Sequence, residues 1–352
     1  MLEKMSFNSN LINWYDKNKR ELPWRKSNDP YKIWLSEIIL QQTQVKQGLP
    51  YYNTFLENYP TVYELARSTE DEVLKNWQGL GYYSRARNLH STAKYIVREL
   101  NGVFPKKHID LIKLKGVGDY TASAIASICF DESVAVLDGN VFRVLSRYFG
   151  IEIPVNSTQG IKHFKNLAKS LLPKKRIGDY NQAVMEFGAL QCKPKSPNCR
   201  KCPINVNCVA FTTNNTKNLP TKIKRSKIKE RYFNFLVYLT NKPETATVIE
   251  KRNVKGIWQN LYQFPMIETE FSVSKKNLMS YKKDLQKYNL INPEIELINK
   301  NEIVHKLSHQ KLHIKFWKLR QKIKHNNTIY WNDLKKYPVP SPIAEFIRSY
   351  KP

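Results

Sequence analysis

Apolar residues recur at three- and four-residue intervals through the first 210 or so positions, the spacing that places them on one face of an α-helix. In Tyr31–Gln47, Ile33, Trp34, Ile38, Leu40 and Val45 fall close to this period, behind an Asp29–Pro30 pair suited to a helix start. The same pattern predicts helices over Thr69–Trp77, Ser84–Asn101, Asp119–Phe130, Asn140–Phe149, Gly160–Leu172 and Tyr180–Gln191, several separated by Gly or Pro. No strand pattern of comparable strength occurs in this half. The pattern then changes. Tyr232–Leu239 and Thr245–Lys251 are rich in β-branched or aromatic residues and read as strands, Asn277–Tyr288 as a helix, and His313–Leu319 alternates as a strand does. With 352 residues, more than one core usually needs, the chain is expected to hold a mainly helical domain over 1–211 and a smaller α+β domain over 232–352. No internal repeat is evident.

Charge adds a partner to this picture. The net charge is +28, an excess that self-repels unless a polyanion is near. Nucleic acid fits best and an anionic membrane surface second, with lysine-biased composition as the plain alternative. Part of the excess lies in the polar stretch 212–231, where Lys217, Lys222, Lys224, Arg225, Lys227, Lys229 and Arg231 face one acid, Glu230. It reads as an interdomain linker able to lie on phosphate. The first residues lack the apolar core of a signal peptide and no stretch approaches the length of a membrane span, so the expected location is cytoplasmic, with reduced thiols.

In that setting the cysteines read as ligands or plain thiols. Cys192, Cys199, Cys202 and Cys208 follow C-x6-C-x2-C-x5-C within 17 residues, which implies metal. The chemistry alone leaves zinc and a [4Fe–4S] cluster both open. Cys129, in an apolar helix, reads as a small core residue.

Three further segments carry chemistry. Gly116-Val117-Gly118, between two helical stretches, makes a tight turn that exposes N–H groups to a phosphate, or else a simple helix–turn–helix corner. Glu37 is a lone acid in an apolar, amide-bearing helix, and a buried salt bridge is its ordinary alternative. Asp138 follows an apolar run and precedes a helix, where its ordinary job is an N-cap. A raised acid beside a carboxylate that stays ionised is what glycosidic bond cleavage requires.

These segments together resemble the MutY adenine glycosylases of the helix–hairpin–helix, endonuclease III superfamily. The cysteine spacing is that of the family's iron–sulfur loop, which implies a [4Fe–4S] cluster at residues 192–208, with Lys193, Lys195, Arg200 and Lys201 facing DNA. Leu114–Ala122 resembles the family hairpin, with Lys115 where Pro is usual. Leu35-Ser36-Glu37 through Gln41-Gln42-Thr43-Gln44-Val45 and Leu137-Asp138-Gly139-Asn140 through Arg143-Val144 look like its two catalytic segments. The resemblance implies Glu37 as the acid that protonates adenine at N7, Asp138 as stabiliser of the sugar cation, Asn140 as its support, and Gln42 in the stretch inserted into the opened duplex. Bifunctional relatives carry a Schiff-base lysine just past the hairpin, where this chain has Tyr120, so a monofunctional enzyme leaving an abasic site is implied. Tyr82 in Gly79–His90 would stack beside the oxidised guanine, with Arg85 and Arg87 facing phosphate or simply solvent. Arg25, after a Trp24 that reads as core, would lie near the adenine pocket, which Glu186 would help to fix.

Lys255-Gly256-Ile257-Trp258 and Tyr262-Gln263-Phe264-Pro265 resemble the family's Nudix-like C-terminal domain. Ser272–Tyr288 lacks the dense glutamates a magnesium-dependent Nudix hydrolase needs, so recognition of 8-oxoguanine is implied instead. Ser308 and His309, after Leu307 in place of the family's Phe, would make that contact. The expectation is therefore a mainly α helix–hairpin–helix glycosylase domain with a [4Fe–4S] loop, plus a smaller α+β Nudix-like domain. It would act as a monomer on duplex DNA with adenine opposite 8-oxoguanine or guanine. An endonuclease III-like lyase, a non-catalytic iron–sulfur DNA-binding sensor and a Nudix hydrolase are the rivals.

Overall fold

The computed structural model describes residues 2–223, 228–240, 244–291, 293–319 and 328–352. Lys224, Arg225 and Lys227 of the basic stretch lie outside the described residues. The first part of the chain runs through α1 (Leu2–Asn18), α2 (Pro30–Leu40), α3 (Val45–Asn58), α4 (Val62–Arg67), α5 (Glu70–Asn76) and α6 (Ser84–Leu100). It continues through α7 (His108–Leu111), α8 (Asp119–Phe130), α9 (Gly139–Phe149), α10 (Thr158–Leu171), α11 (Ile177–Leu190) and α12 (Val209–Thr212). Then follow β1 (Lys229–Tyr238), β2 (Ala246–Val248), β3 (Glu250–Lys251), β4 (Tyr262–Gln263), β5 (Met266–Thr269), α13 (Lys275–Leu278) and α14 (Lys282–Lys287). The chain closes with β6 (Ile295–Leu297), β7 (Ile303–Lys306), β8 (Gln310–Leu319), β9 (Thr328–Tyr330) and α15 (Ser341–Ser349). Among the described residues no helix is long and apolar enough to cross a membrane.

Two compact units emerge: residues 1–67 with 88–225, and 68–87 with 226–352. The helical unit is built on α11, which packs against α1, α8 and α9. Phe7 and Leu11 of α1, Val144 and Tyr148 of α9, Phe164 of α10 and Val184 and Phe187 of α11 share one core. In α8 the buried positions are small, Thr121 through Ser127 being Ala, Ser, Thr and one Ile, so α11 can approach closely. A Cβ on Gly178 of α11 would lie 2.8 Å from the Ser127 carbonyl oxygen of α8, closer than any side chain tolerates.

Helical periodicity across Tyr31–Gln47 overran the true boundary. The helix begins where expected, with Asp29 accepting a bond from Tyr31 N at 2.9 Å, but ends at Leu40. Gln42 takes φ of +56° before α3 begins at Val45. Ile38 and Ile39 are buried, whereas the run Gln41-Gln42-Thr43-Gln44 has no apolar face to bury, so the chain turns there.

In the second unit, the main sheet has the order β5-β1-β8-β6, with β7 also on β8. Strands β1 and β8 are parallel; the other pairings are antiparallel. Alternation along β1 and β8 sends Phe233, Phe235, Ile314 and Phe316 to one face, where Phe316 stacks on Phe346 of α15 at 3.8 Å. Leu236, Tyr238, Trp317 and Leu319 lie on the other, against Leu278 and Leu285 of α13 and α14. The single helix expected over Asn277–Tyr288 is these two short ones, the first capped by Ser274, whose hydroxyl accepts from Asn277 N at 3.3 Å. Thr245–Lys251 likewise divides, β2 pairing with β9 and β3 with β4.

Residues 68–87, which read as part of the helical half, belong instead with the second unit. Polar anchors account for this: Asp71 receives Lys251 Nζ at 2.6 Å and the Tyr262 hydroxyl at 3.0 Å, and Glu70 receives Asn260 Nδ2 at 2.6 Å. The expected linker is no loose tether at its start either. Leu219 is buried, Thr221 O accepts from Val155 N at 3.0 Å and Ile223 O from Asn156 Nδ2 at 3.0 Å.

Candidate active site and cysteine loop

Glu37 stands on the buried side of α2, 9% exposed, between Ser36 and Ile38, which are also buried. Desolvation pushes its carboxyl up to about 7, against the opposing effects of a hydrogen bond with Tyr120 and of Arg25, and with a further push from the Asp138 charge. A group half-protonated near neutrality suits proton donation. Tyr120, from the first turn of α8, also places its hydroxyl 3.2 Å from Met185 Sδ. Burial, then Glu37 and Asp138, hold that phenol well above its ordinary range, so it stays neutral.

Asp138 is the N-cap of α9, and the ordinary reading of such a residue is thus correct as far as it goes. One carboxylate oxygen accepts from Asn140 N at 2.9 Å and Val141 N at 2.8 Å, and the other from Asn140 Nδ2 at 2.7 Å. Burial raises its pKa, while these donors and Arg143 oppose the rise. The helix N-terminus therefore fixes this carboxyl in a dry place, where its charge acts on an acid that burial holds half-protonated near neutrality. Cap and charge are one arrangement here, not alternatives.

Behind Asn140 lies a residue that sequence reasoning passed over. Arg143, one helical turn on, donates through Nη2 to Asn140 Oδ1 at 2.9 Å and to Gly188 O at 2.7 Å, and through Nε to Cys192 O at 2.8 Å. It ties the support of Asp138 to the first residue of the cysteine loop. Its position three residues after Asn140, on a helix whose exposed face did not need it, was the available signal. Arg147, a turn further, is 3% exposed and grips the loop through Lys193 O at 2.8 Å, Pro194 O at 3.1 Å and Cys192 Sγ at 3.4 Å.

Glu186 is 1% exposed and is clasped by two arginines. Arg25 meets both its oxygens at 2.9 Å, and Arg20, which sequence reasoning missed, meets them at 2.8 and 2.6 Å. Burial alone would raise this carboxyl, but the arginine bonds prevail and bring it down to about 2. Trp24 is core, as expected.

In the hairpin, Gly116 takes φ of +81° and a Cβ there would lie 2.7 Å from that of Asn88, so the turn demands glycine. Val117 is buried, while Lys115, Gly116 and Gly118 are exposed. Gly118 is the N-cap of α8 and no side chain caps it, which leaves the helix start for an incoming anion. Gln42 is exposed at its turn, with φ of +56°.

In the second unit, Tyr82 takes φ of +48° and its exposed hydroxyl bonds to Ser308 Oγ at 2.6 Å. Ser308 and His309 form the exposed turn between β7 and β8, closed by Leu307 N donating to Gln310 O at 2.8 Å. Arg85 does not face phosphate. It is 7% exposed, lies over the Trp77 ring at 5.0 Å and donates to Gly81 O at 3.1 Å, because the tight glycine turn before it leaves carbonyls that need a donor. Arg87 is half-buried and donates to Gln259 O at 2.8 Å.

Cys192, Cys199, Cys202 and Cys208 line one pocket, walled by Val144, Tyr148, Phe187 and Ile204. Among the described residues no three His, Cys, Asp or Glu side chains gather closely enough to hold a single ion. Zinc would need its sulfurs about 2.3 Å from one centre. Four thiols lining one apolar pocket are a soft donor set of the kind that binds zinc or an iron–sulfur cluster. Cys129 is half-buried and lies outside this set.

The model for the HhH-GPD superfamily of base excision DNA repair proteins matches residues 35–172, and a NUDIX domain model matches residues 236–349. The adenine DNA glycosylase of Buchnera aphidicola subsp. Schizaphis graminum is 40% identical over 265 residues, 75% of this chain and 76% of that protein. The Homo sapiens adenine DNA glycosylase is 43% identical over 217 residues, 59% of this chain and 40% of its own length. Among solved structures, a thermostable thymine-DNA glycosylase aligns with a TM-score of 0.56 at 29% identity, covering 60% of this chain and 97% of that one. Endonuclease III in a non-covalent DNA complex aligns at 0.52 and 21% identity over 61% and 99% of the two chains, a likeness of fold.

Proposed function

Since this chain belongs to the MutY family of adenine DNA glycosylases, enzymes of base excision repair, we propose that it hydrolyses the N-glycosidic bond of adenine opposite 8-oxoguanine or guanine in duplex DNA. The observation that carries this reading is the pair of Glu37, raised to about 7, and Asp138, anchored at the start of α9. Adenine leaves poorly as an anion. Glu37 donates its proton to N7, and the sugar, left electron-poor, is faced by the Asp138 carboxylate. Asn140 holds that carboxylate in place, and Tyr120 keeps a hydroxyl rather than an amine at the hairpin. With no lysine there, no Schiff base forms and the strand is left with an abasic site.

The remaining assignments follow the same logic. Gly116 and Gly118 bind a backbone phosphate at the start of α8, and Gln42 enters the space left by the extruded base. Arg25 and Glu186 shape the adenine pocket. Tyr82 stacks beside the lesion, and Ser308 and His309 read 8-oxoguanine. Of the two arginines first set against phosphate, Arg87 alone keeps a half-exposed position that allows such a contact. Residues 212–231 join the glycosylase and recognition domains, and the protein works as a cytoplasmic monomer on duplex DNA. The four cysteines hold a [4Fe–4S] cluster, which when bound supplies a rigid cross-link for the 192–208 loop.

Cys199→Ser is expected to lower iron content per chain and to reduce Tm by at least about 5 °C. Zinc in place of iron in the unmodified protein overturns the cluster assignment. The function is tested on duplexes carrying adenine opposite 8-oxoguanine, opposite guanine or opposite thymine. Breaks that appear at the first two adenines only after hot alkali support a monofunctional adenine glycosylase. Breaks without alkali make it a lyase and overturn the role of Tyr120. Tight binding with no abasic sites, in iron-replete protein, leaves the DNA-binding sensor.

A further inference from the structure

Asn181, on α11, is 2% exposed and so far has no part in the chemistry. Its side-chain amide is fully used. Nδ2 donates to Ser127 Oγ of α8 at 2.9 Å and to Val134 O at 2.9 Å, and Oδ1 accepts from Val136 N at 3.3 Å. A buried amide has two donors and one acceptor group, and all are satisfied. Val134 and Val136 lie in the irregular stretch between α8 and Asp138. One side chain thus meets the carbonyl of Val134 and the N–H of Val136, as a neighbouring strand would. Among the described residues no backbone strand pairs with this stretch, and an unpaired buried N–H and carbonyl would each be costly.

We propose that Asn181 is a positioning residue for base release: it sets the register of Val134–Val136 and so fixes where Asp138 begins α9. The proposal rests on the reading of Asp138 as the charge that faces the sugar. From below, the cap bonds fix how the Asp138 carboxylate turns toward α9; from behind, Asn181 fixes how the chain arrives there. Its bonds go to α8 and to the stretch that leads into Asp138, so it acts on the chemical step and not on DNA capture.

The test uses the iron-replete full chain with Asn181→Ala, Asn181→Asp and Ser127→Ala, measuring single-turnover base release and duplex affinity separately. An ångström-scale displacement of Asp138 is expected to lower the rate about 10²-fold in Asn181→Ala. Affinity should stay within about threefold, since no phosphate contact changes. Asn181→Asp places a carboxylate oxygen against Val134 O and should do no better. Ser127→Ala removes the acceptor behind Nδ2, together with the hydroxyl's long bond to Ala124 O within α8, and a loss of about threefold is expected. A second readout separates positioning from mere destabilisation. Glu37 is faced by Tyr120 of α8, by Arg25 ahead of α2, by Asp138, and by the Cys129 thiol at the end of α8. Withdrawing the Asp138 charge lets Glu37 ionise more easily, so the alkaline limb of the rate profile should move to lower pH in Asn181→Ala. Rates unchanged in Asn181→Ala and Ser127→Ala, with Asp138→Asn inactive, overturn the role of Asn181 alone. A fully active Asp138→Asn overturns the underlying reading instead. Should Asn181→Ala fail to fold, Ser127→Ala decides: a slowed rate with a shifted limb supports the proposal, and a wild-type profile overturns it.

Discussion

Asp138→Asn is expected to lose base release by about 10³-fold or more while remaining folded and bound to DNA. The variant keeps the shape of the cap, because an amide oxygen can still accept from Asn140 N and Val141 N, now at 2.9 and 2.8 Å. It loses the negative charge, and it sets an NH2 against Asn140 Nδ2, which now donates to the second oxygen at 2.7 Å. Stability should fall by no more than about 2 kcal/mol, the range of a weakened cap. The measurement is single-turnover release of adenine with excess enzyme, beside a urea melt. A rate within tenfold of wild type would show that the sugar cation is stabilised elsewhere and would sink the assignment.

Glu37→Gln should remove proton donation, costing about 10²- to 10⁴-fold in rate, and should at the same time stabilise the protein above neutrality. The folded carboxyl has its pKa raised from 4.5 to about 7 by burial. A raised folded value means that the protonated form is the one the fold accommodates. The associated stability is intact below pH 4.5 and is lost as pH rises through about 7, amounting to about 3 kcal/mol by pH 8. Glutamine never ionises, so the variant should melt later than wild type at pH 8 and equally with it near pH 4. The wild-type rate should fall as pH rises through the same region, with the Glu37 limb absent from the residual rate of the variant. A variant that melts alike at both pH values would show that Glu37 is solvated, and with it the raised acid would go.

Much of this was legible along the chain because it depends on local periodicity and on residue type. Asp119–Phe130 was expected as a helix and is α8 to the residue, since Gly118 ahead of it and the left-handed Asp131 behind it are local stops. Boundaries failed where the apolar face ran on weakly. Val45 kept the helical period of α2 alive on paper, but the four polar residues before it have nothing to bury and the chain turns. The split of Asn277–Tyr288 into α13 and α14 was likewise decided by how Leu278 and Leu285 meet the sheet.

Site residues divide the same way. Glu37, Asp138 and the four cysteines stood out as candidates because a lone acid in an apolar helix, an acid before a helix and four spaced thiols are unusual, whereas Asn140 came only with the family resemblance. Arg20, Arg143, Arg147 and Asn181 were not. An arginine on a helix is most often a solvated one, and only the packed structure shows Arg143 and Arg147 turned inward to loop carbonyls. Arg85 went the opposite way, expected to face phosphate or solvent and found buried over Trp77 with a bond to Gly81 O.

By itself, then, the sequence determined the helical and α+β halves, and it marked the cysteine loop, the hairpin and the two acids as candidates, all of which are written in neighbouring residues. The tertiary structure decided what those groups are at working pH and what holds them. Burial raises Glu37 and two arginines pull Glu186 down, although both are glutamates within apolar helices. It also assigned residues 68–87 to the second unit, through Glu70 and Asp71 bonded to residues some 180 positions away. Desolvation and long-range pairing depend on what is packed around a side chain, and that is set by the folded chain as a whole, not by its neighbours in sequence.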